Sequence, residues 1–348
     1  MADNQDIGLI ERRTKALTQA QEMLMSEAVS MKADIQRVVE ASKCLNSHAL
    51  RIVIVFTYTL SVQQQQQQKR SGAKSKSRRG KDILKKIDYD PLVVQSDLEV
   101  LLQLPGILSL GDHNRASALM MHPTLGEWIA CTESSLLLVN GRSTARTRSP
   151  VSYVCATLVE AFADAARNSK AHVITLSFFC GEHLDFTQDR DAYPFGMMLT
   201  ILAQLLMAYK DFDIEKVRPF WQTVQQLEDI SSVCRLFKEL LKQLPEETRV
   251  FCIIDGISYY EGPDRRDDVI EAVRGLISIV RKLREPVIKI LMSSPASCNY
   301  VWELFDQDEI LNMSWNCPNR GGLKALDWNT IGNNIKDVLE EPQECEGE

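Results

Sequence analysis

The sequence contains no Cys-x-x-Cys pair; its nine cysteines stand singly, several inside apolar runs, as free thiols of a reducing compartment do. Its five histidines show neither His-x-x-x-His nor Cys/His ligand spacing, which excludes the common zinc sites. No Gly-x-Ser-x-Gly elbow is present to carry a hydrolase serine. Residues 185–193 (DFTQDRDAY) hold three aspartates but lack the glycine and closing glutamate of a calcium loop, and are expected to be a solvated loop. Nor is there an apolar run of the roughly 20 residues needed to cross a bilayer. Residues 49–62 come nearest, but carry Arg51 and several hydroxyls, so no transmembrane span is expected. The first thirty residues lack the apolar stretch of a secretory signal, which makes cytoplasmic residence the expectation. No repeat of roughly 20 to 50 residues is visible.

What is present is the composition of a folded chain: 348 residues, 45% hydrophobic and 25% charged, enough for one large domain with an accessory region or for two modest domains. The charge is segregated. The chain is net −7, yet residues 69–86 hold nine Lys or Arg against Asp82 alone. Residues 7–45 read as a helix, because Ile10, Leu17, Leu24, Met31, Val38 and Leu45 recur every seventh position. The position four residues on is mixed (Thr14, Gln21, Ala28, Ile35, Ser42), which leaves open both an amphipathic helix packed on its own chain and a self-associating coiled coil.

Four segments follow: a helical region over 1–48, a linker over 49–88, an α/β domain over 89–320 and an acidic tail over 321–348. The linker joins the apolar run to six glutamines at 63–68 and the basic stretch, a composition expected to be disordered. Residues 49–82 also fit an insertion carried in from the gene; recovery of tryptic peptides from 52–69 decides between the two. From residue 134, apolar runs of strand length (135–139, 172–180, 250–254, 287–292 and a last one near 309–314) alternate with helical patterns at 151–167, 195–209, 233–244 and 267–283. In the first of these helices Val151, Val154, Cys155, Leu158, Val159 and Phe162 line one face. Two earlier helices are expected near 94–104 and 115–121. Short apolar strands between amphipathic helices imply an α/β fold with a mainly parallel sheet covered on both faces.

Three stations could carry chemistry. The first is SSLLLVNG followed by RSTARTRSP and a helix, the context of a phosphate-binding loop, where backbone N–H groups and the helix dipole converge on an anion. With Gly141 as the first glycine of G-x-x-x-x-G-K-[ST], Arg146, Thr147 and Arg148 occupy the Gly, Lys and Ser/Thr positions. A loop one residue longer puts Arg148 and Ser149 at the Lys-Ser positions, although an arginine fork does not replace a lysine point charge at a phosphoryl group. Ser149 followed by Pro150 serves equally as a helix N-cap. The second station is the apolar strand ending in Asp255, where a carboxylate either orients Mg²⁺ or caps the strand end. Ser258 and Tyr259 follow where further acids would be needed, and Glu261 lies two residues out of register. The third is VIKILMSSPAS, whose polar tip is Ser293-Ser294-Pro295.

In order and spacing these stations, with VSYVCATLVEAF and FKELLKQLP, resemble the NACHT/nephrocystin-type STAND P-loop NTPase-like proteins abundant in filamentous fungi, over about residues 90–315. The resemblance implies a P-loop NTPase-like three-layer sandwich preceded by a helical region, with degenerate Walker A and Walker B motifs. It assigns Gly141, Arg148, Ser149 and Ser294 to nucleotide and Asp255 to metal. In that family the domain is a nucleotide-controlled switch for self-association, flanked by an effector and a repeat sensor; the sensor is expected to be absent here.

The expectation is therefore a catalytically inactive NTPase-like module that works through a protein partner, with no cofactor or with weak ATP or GTP and magnesium. An enzyme reading competes with it, a slow ATP- or GTP-binding switch using Arg148, Ser149 and Asp255. A second competitor is polyanion binding, to nucleic acid or an anionic membrane, through 69–86. That segment has no aromatic residue for base stacking and could equally serve nuclear import.

Overall fold

A computed structural model describes residues 83–144, 147–168 and 172–317. The heptad helix at 7–45, the apolar and poly-glutamine stretch, most of the basic segment, Arg146 and the acidic tail lie outside the described residues.

Five apolar runs pair into one wholly parallel sheet: β1 (Ser135–Asn140), β2 (Val173–Phe179), β3 (Arg249–Asp255), β4 (Val287–Ser294) and β5 (Ile310–Asn312). Their order is β2-β3-β4-β1-β5. Side chains alternate across the pleat, so each strand is apolar on both faces and each face needs a cover. One face carries Leu138, Leu176, Ile254 and Met292 and packs against α5 (Pro194–Ala208), α6 (Ile214–Leu227), α7 (Ile230–Leu241) and α8 (Arg266–Lys282). The other carries Val139, Phe251, Ile253 and Leu291 and packs against α1 (Pro91–Leu102), α2 (Leu110–Met120), α3 (Pro123–Ala130) and α4 (Pro150–Asn168). The result is a three-layer sandwich. No single helix among the described residues is long and apolar enough to cross a membrane.

Local chemistry sets the helix boundaries. Asp90 caps α1 by accepting from Leu92 N–H at 2.9 Å, with Pro91 in the first position, where its missing N–H costs nothing. Ser109 and Asp112 form a reciprocal capping box at α2. Helix α5 is apolar almost all round because it lies between the sheet and α7. Its Gln204 accepts from Ser177 N–H at 2.9 Å and donates to Ser177 carbonyl at 2.7 Å, which satisfies part of the free edge of β2.

The structure corrects several expectations. The end of the segment expected to be linker is folded: residues 83–87 form a helical turn with Ile83 and Ile87 buried and Lys85 and Lys86 exposed. Four-residue spacing puts both isoleucines on one face, so lysines between them do not prevent docking. Helices α3 and α6 were not expected, since Pro123 with Gly126 and Pro219 read locally as breakers. The stretch 185–193 is not merely solvated, for Asp189 and Asp191 are drawn into polar contacts described below. Strand β5 is shorter than expected, although Met313 N–H still donates to the Asn140 carbonyl at 2.9 Å.

Chain reversal positions the site. The connection leaving β1 runs through α4 on one face, whereas the one leaving β4 runs through the 3-10 turn Val301–Leu304 on the other. Adjacent strands whose connections part to opposite faces leave a crevice at their carboxyl ends. Gly141, Ser293 and Ser294 are brought to that edge by the register Val139↔Ser293 and Asn140↔Ser294.

Candidate functional site

Gly141 opens the turn after β1 because nothing larger fits. A Cβ there would lie 2.6 Å from the Val151 side chain and 2.7 Å from the Pro295 carbonyl oxygen. Its N–H donates to the Ser294 carbonyl at 2.9 Å, Arg142 N–H to Ala296 at 2.7 Å, and Ser143 N–H to Pro295 at 3.0 Å. Arg142 adopts φ 45°, a left-handed conformation costing about 1–2 kcal/mol for a residue with a Cβ, and its short hydrogen bond offsets that strain. These amides are engaged by the loop after β4, so the opening of the turn presents no N–H nest to an anion.

Arg115, buried on α2, holds the turn from the other side. Its guanidinium donates to the carbonyls of Gly141 at 2.7 Å, Ser314 at 2.9 Å and Trp315 at 2.7 Å, joining the end of β1 to the segment after β5.

At the far end of the turn, Ser149 caps α4. Its hydroxyl accepts from Ser152 N–H at 3.1 Å, and Ser149 N–H donates back to the Ser152 hydroxyl at 3.4 Å. Of the two roles left open for Ser149, this geometry serves the cap. The α4 hydroxyl that hydrogen-bonds Asp255 belongs to Ser152, three residues on. Arg148 is paired elsewhere: Nε and Nη2 donate to the two Glu182 oxygens at 3.0 and 2.9 Å, a bidentate pair in which Glu182 is 11% exposed.

Asp255, at the tip of β3, is sealed at 1% exposure. Ser293 Oγ donates to its Oδ1, and Ser152 and Cys155 hydrogen-bond it from α4. Burial raises its pKa above the usual carboxylate range; these three hydrogen bonds oppose the rise and the nearby Glu182 charge adds to it. Burial, followed by the Asp255 charge, pushes the Cys155 thiol well up, so it is a protonated donor and not a nucleophile.

Beyond Asp255 the chain turns at Gly256, whose φ of 74° and close approach to the Tyr259 ring require glycine. Ser294 Oγ donates to Ser258 Oγ at 2.7 Å, tying the tip of β4 to this turn. Glu261 serves a structural end: its carboxylate accepts the N–H groups of Asn299, Tyr300 and Val301 at 2.7–2.8 Å, at the start of the turn after β4.

One residue past Glu182, His183 forms a second polar centre. Buried and stacked on Phe178, it places Nε2 3.0 Å from Asp97 on α1 and Nδ1 2.7 Å from Asp189. Burial alone would lower its pKa, but the hydrogen bonds and charges of the two aspartates raise it to about 9, so both ring nitrogens donate at neutral pH. Asp191 lies near it, its own pKa raised by burial, while its carbonyl accepts from Tyr260 hydroxyl at 2.9 Å.

The parallel register thus gathers Gly141, Asp255, Ser293 and Ser294 at one edge, whereas Arg148 and Ser149 are committed to Glu182 and the helix cap. These residues do not fit a magnesium triphosphate. The lysine position carries none, the described arginine closest to it is paired, the first three amides of the turn are engaged, and Asp255 is bound inward. Among the described residues no group of three or more His, Cys, Asp or Glu is arranged to hold a metal ion. Sequence reasoning missed Ser152, Glu182 and His183. The serine at N-cap plus three was a readable cap signal, while Glu182 and His183 gain their partners only through tertiary contacts.

A family model described as nephrocystin 3, N-terminal, matches residues 115–294, just over half of the chain. The matched span opens at Arg115 and closes at Ser294, so it includes Gly141, Asp255, Ser293 and Ser294. No curated protein matches the chain.

Proposed function

The chain belongs to the nephrocystin 3 N-terminal family, and from that premise we propose that its α/β unit is a P-loop-type regulatory module that acts through protein contacts and does not turn over nucleotide. The observation that carries this reading is the state of the Asp255 corner. The carboxylate that would orient a metal is bound by Ser293, Ser152 and Cys155, and the arginine beside the helix cap is held by Glu182. With no lysine in the turn and its first three amides engaged, less is left to stabilise charge on a transferring phosphoryl group. Exposed apolar side chains on α1, α2 and the turn between them, among them Leu92, Ile107 and Leu110, support a protein partner.

A second reading is favoured by one contact: a hydroxyl on the first turn of the helix after the loop, Ser152, meets the strand-end carboxylate, a pairing that also suits a residual magnesium-dependent nucleotide switch. Phosphate release by the full chain with ATP or GTP and Mg²⁺ separates the two. Background rates support the regulatory module; turnover abolished by Asp255→Ala establishes the switch. Calorimetric titration with ATP, ADP, GTP and GDP then reports whether any nucleotide binds without turnover.

A further inference from the structure

We propose that the Arg148–Glu182 pair is an intramolecular lock that presses Thr147–Ser149 onto the end of β2 and keeps Asp255 closed, so that releasing the pair opens this corner. The inference rests on the regulatory reading above and names its control point. Glu182 ends the 3-10 turn Cys180–Glu182 that follows β2, and Arg148 immediately precedes the Ser149 cap, so the pair joins the start of α4 to the tip of a strand separated from β1 by β3 and β4.

The backbones beneath the pair fit together without side chains between them. A Cβ on Gly181 would lie 2.6 Å from the Thr147 carbonyl oxygen, and one on Gly256 would lie 3.5 Å from Gly181 N. Thr147, Gly181 and Gly256 therefore stack backbone on backbone, and the stack ends on Gly256, the residue that follows Asp255. The stack supplies contact, and the ion pair supplies a polar tie across it. Arg148 is half exposed while Glu182 is nearly covered, so solvent and ions reach the pair from one side and the lock is reversible. Glu182 also occupies the guanidinium that an incoming anionic group would need, which makes it a built-in competitor for such a group.

Two thiols report on the corner. Cys155 hydrogen-bonds Asp255, and Cys180 directly precedes Gly181; both are buried. Cys252, in the middle of β3, and Cys234, on α7, are buried away from the pair and serve as controls. The experiment is alkylation of the full chain with N-ethylmaleimide, read by peptide mass spectrometry. Glu182→Gln should raise the rates at Cys155 and Cys180 about fivefold, leave Cys234 and Cys252 unchanged, and be reversed by the exchanged pair Arg148→Glu with Glu182→Arg. An unchanged Cys155 rate in Glu182→Gln overturns the lock. Should all four thiols rise together, the variant is unfolded and the unmodified protein decides instead. Between about 20 and about 500 mM salt its Cys155 and Cys180 rates should climb as the pair is screened, and a flat response overturns the proposal. Nucleotide turnover by the unmodified chain would sink the regulatory reading while leaving the labelling result as it stands.

Discussion

Ser152 and Asp255 meet across the gap between the first turn of α4 and the tip of β3, the serine hydroxyl bonded to a carboxylate that water does not reach. Because burial raises the pKa of Asp255 in the fold, stability falls as pH climbs from the usual carboxylate range through the folded value, and the full cost is present above it. Asp255→Asn keeps the shape and removes the charge. It should raise the thermal midpoint by a few degrees at neutral pH, on the order of 1 kcal/mol, whereas Asp255→Ala, which leaves three donors unpaired, should lower it. Differential scanning calorimetry of the two variants checks the contrast.

His183 gives the opposite signature to a buried neutral histidine. Its folded pKa of about 9 exceeds the ordinary 6.5, so its contribution is complete below about 6.5 and is lost as pH rises through about 9. At 6% side-chain exposure there is little screening, and the contribution is on the order of 3 kcal/mol. Urea midpoints should fall across that window in the unmodified protein, and the difference from His183→Gln should shrink in parallel. A constant difference would mean that the imidazole is not charged between Asp97 and Asp189.

Arg115→Met leaves the carbonyls of Gly141, Ser314 and Trp315 without their cationic donor. The expected loss is about 3–5 kcal/mol in denaturant unfolding. Arg115→Lys should recover only part of it, since a point ammonium cannot reproduce the fork.

Glu261→Ala should destabilise by about 2–4 kcal/mol, because three N–H donors at 299–301 lose one shared carboxylate. Glu261→Gln, which keeps an acceptor oxygen, should cost less. Circular dichroism melts rank the pair, and equal losses would deny that the carboxylate is the cap.

Much of this fold was legible because its signals are local. Branched apolar runs marked the strands, and the face formed by Val151, Val154, Leu158 and Phe162 marked α4. Helix α6 was not, because Pro219 speaks against a helix locally while Ile214, Val217, Trp221 and Val224 bury a stripe that stabilises it in context. The same division runs through the site. Gly141, Asp255 and Ser294 could be read from strand ends, since parallel strands align their carboxyl tips. For Arg148 the sequence points to nucleotide and not to Glu182, because that partner lies 34 residues away and no spacing rule connects them.

The three bonds of Arg115 have a mechanical corollary. Tension applied through the chain beyond residue 317 meets the carbonyls of Ser314 and Trp315 first, and the guanidinium that grips them also grips Gly141. A tug from the carboxyl side is therefore delivered to the head of the loop before it strains the strands, as a guy-line transfers load to the peg it shares.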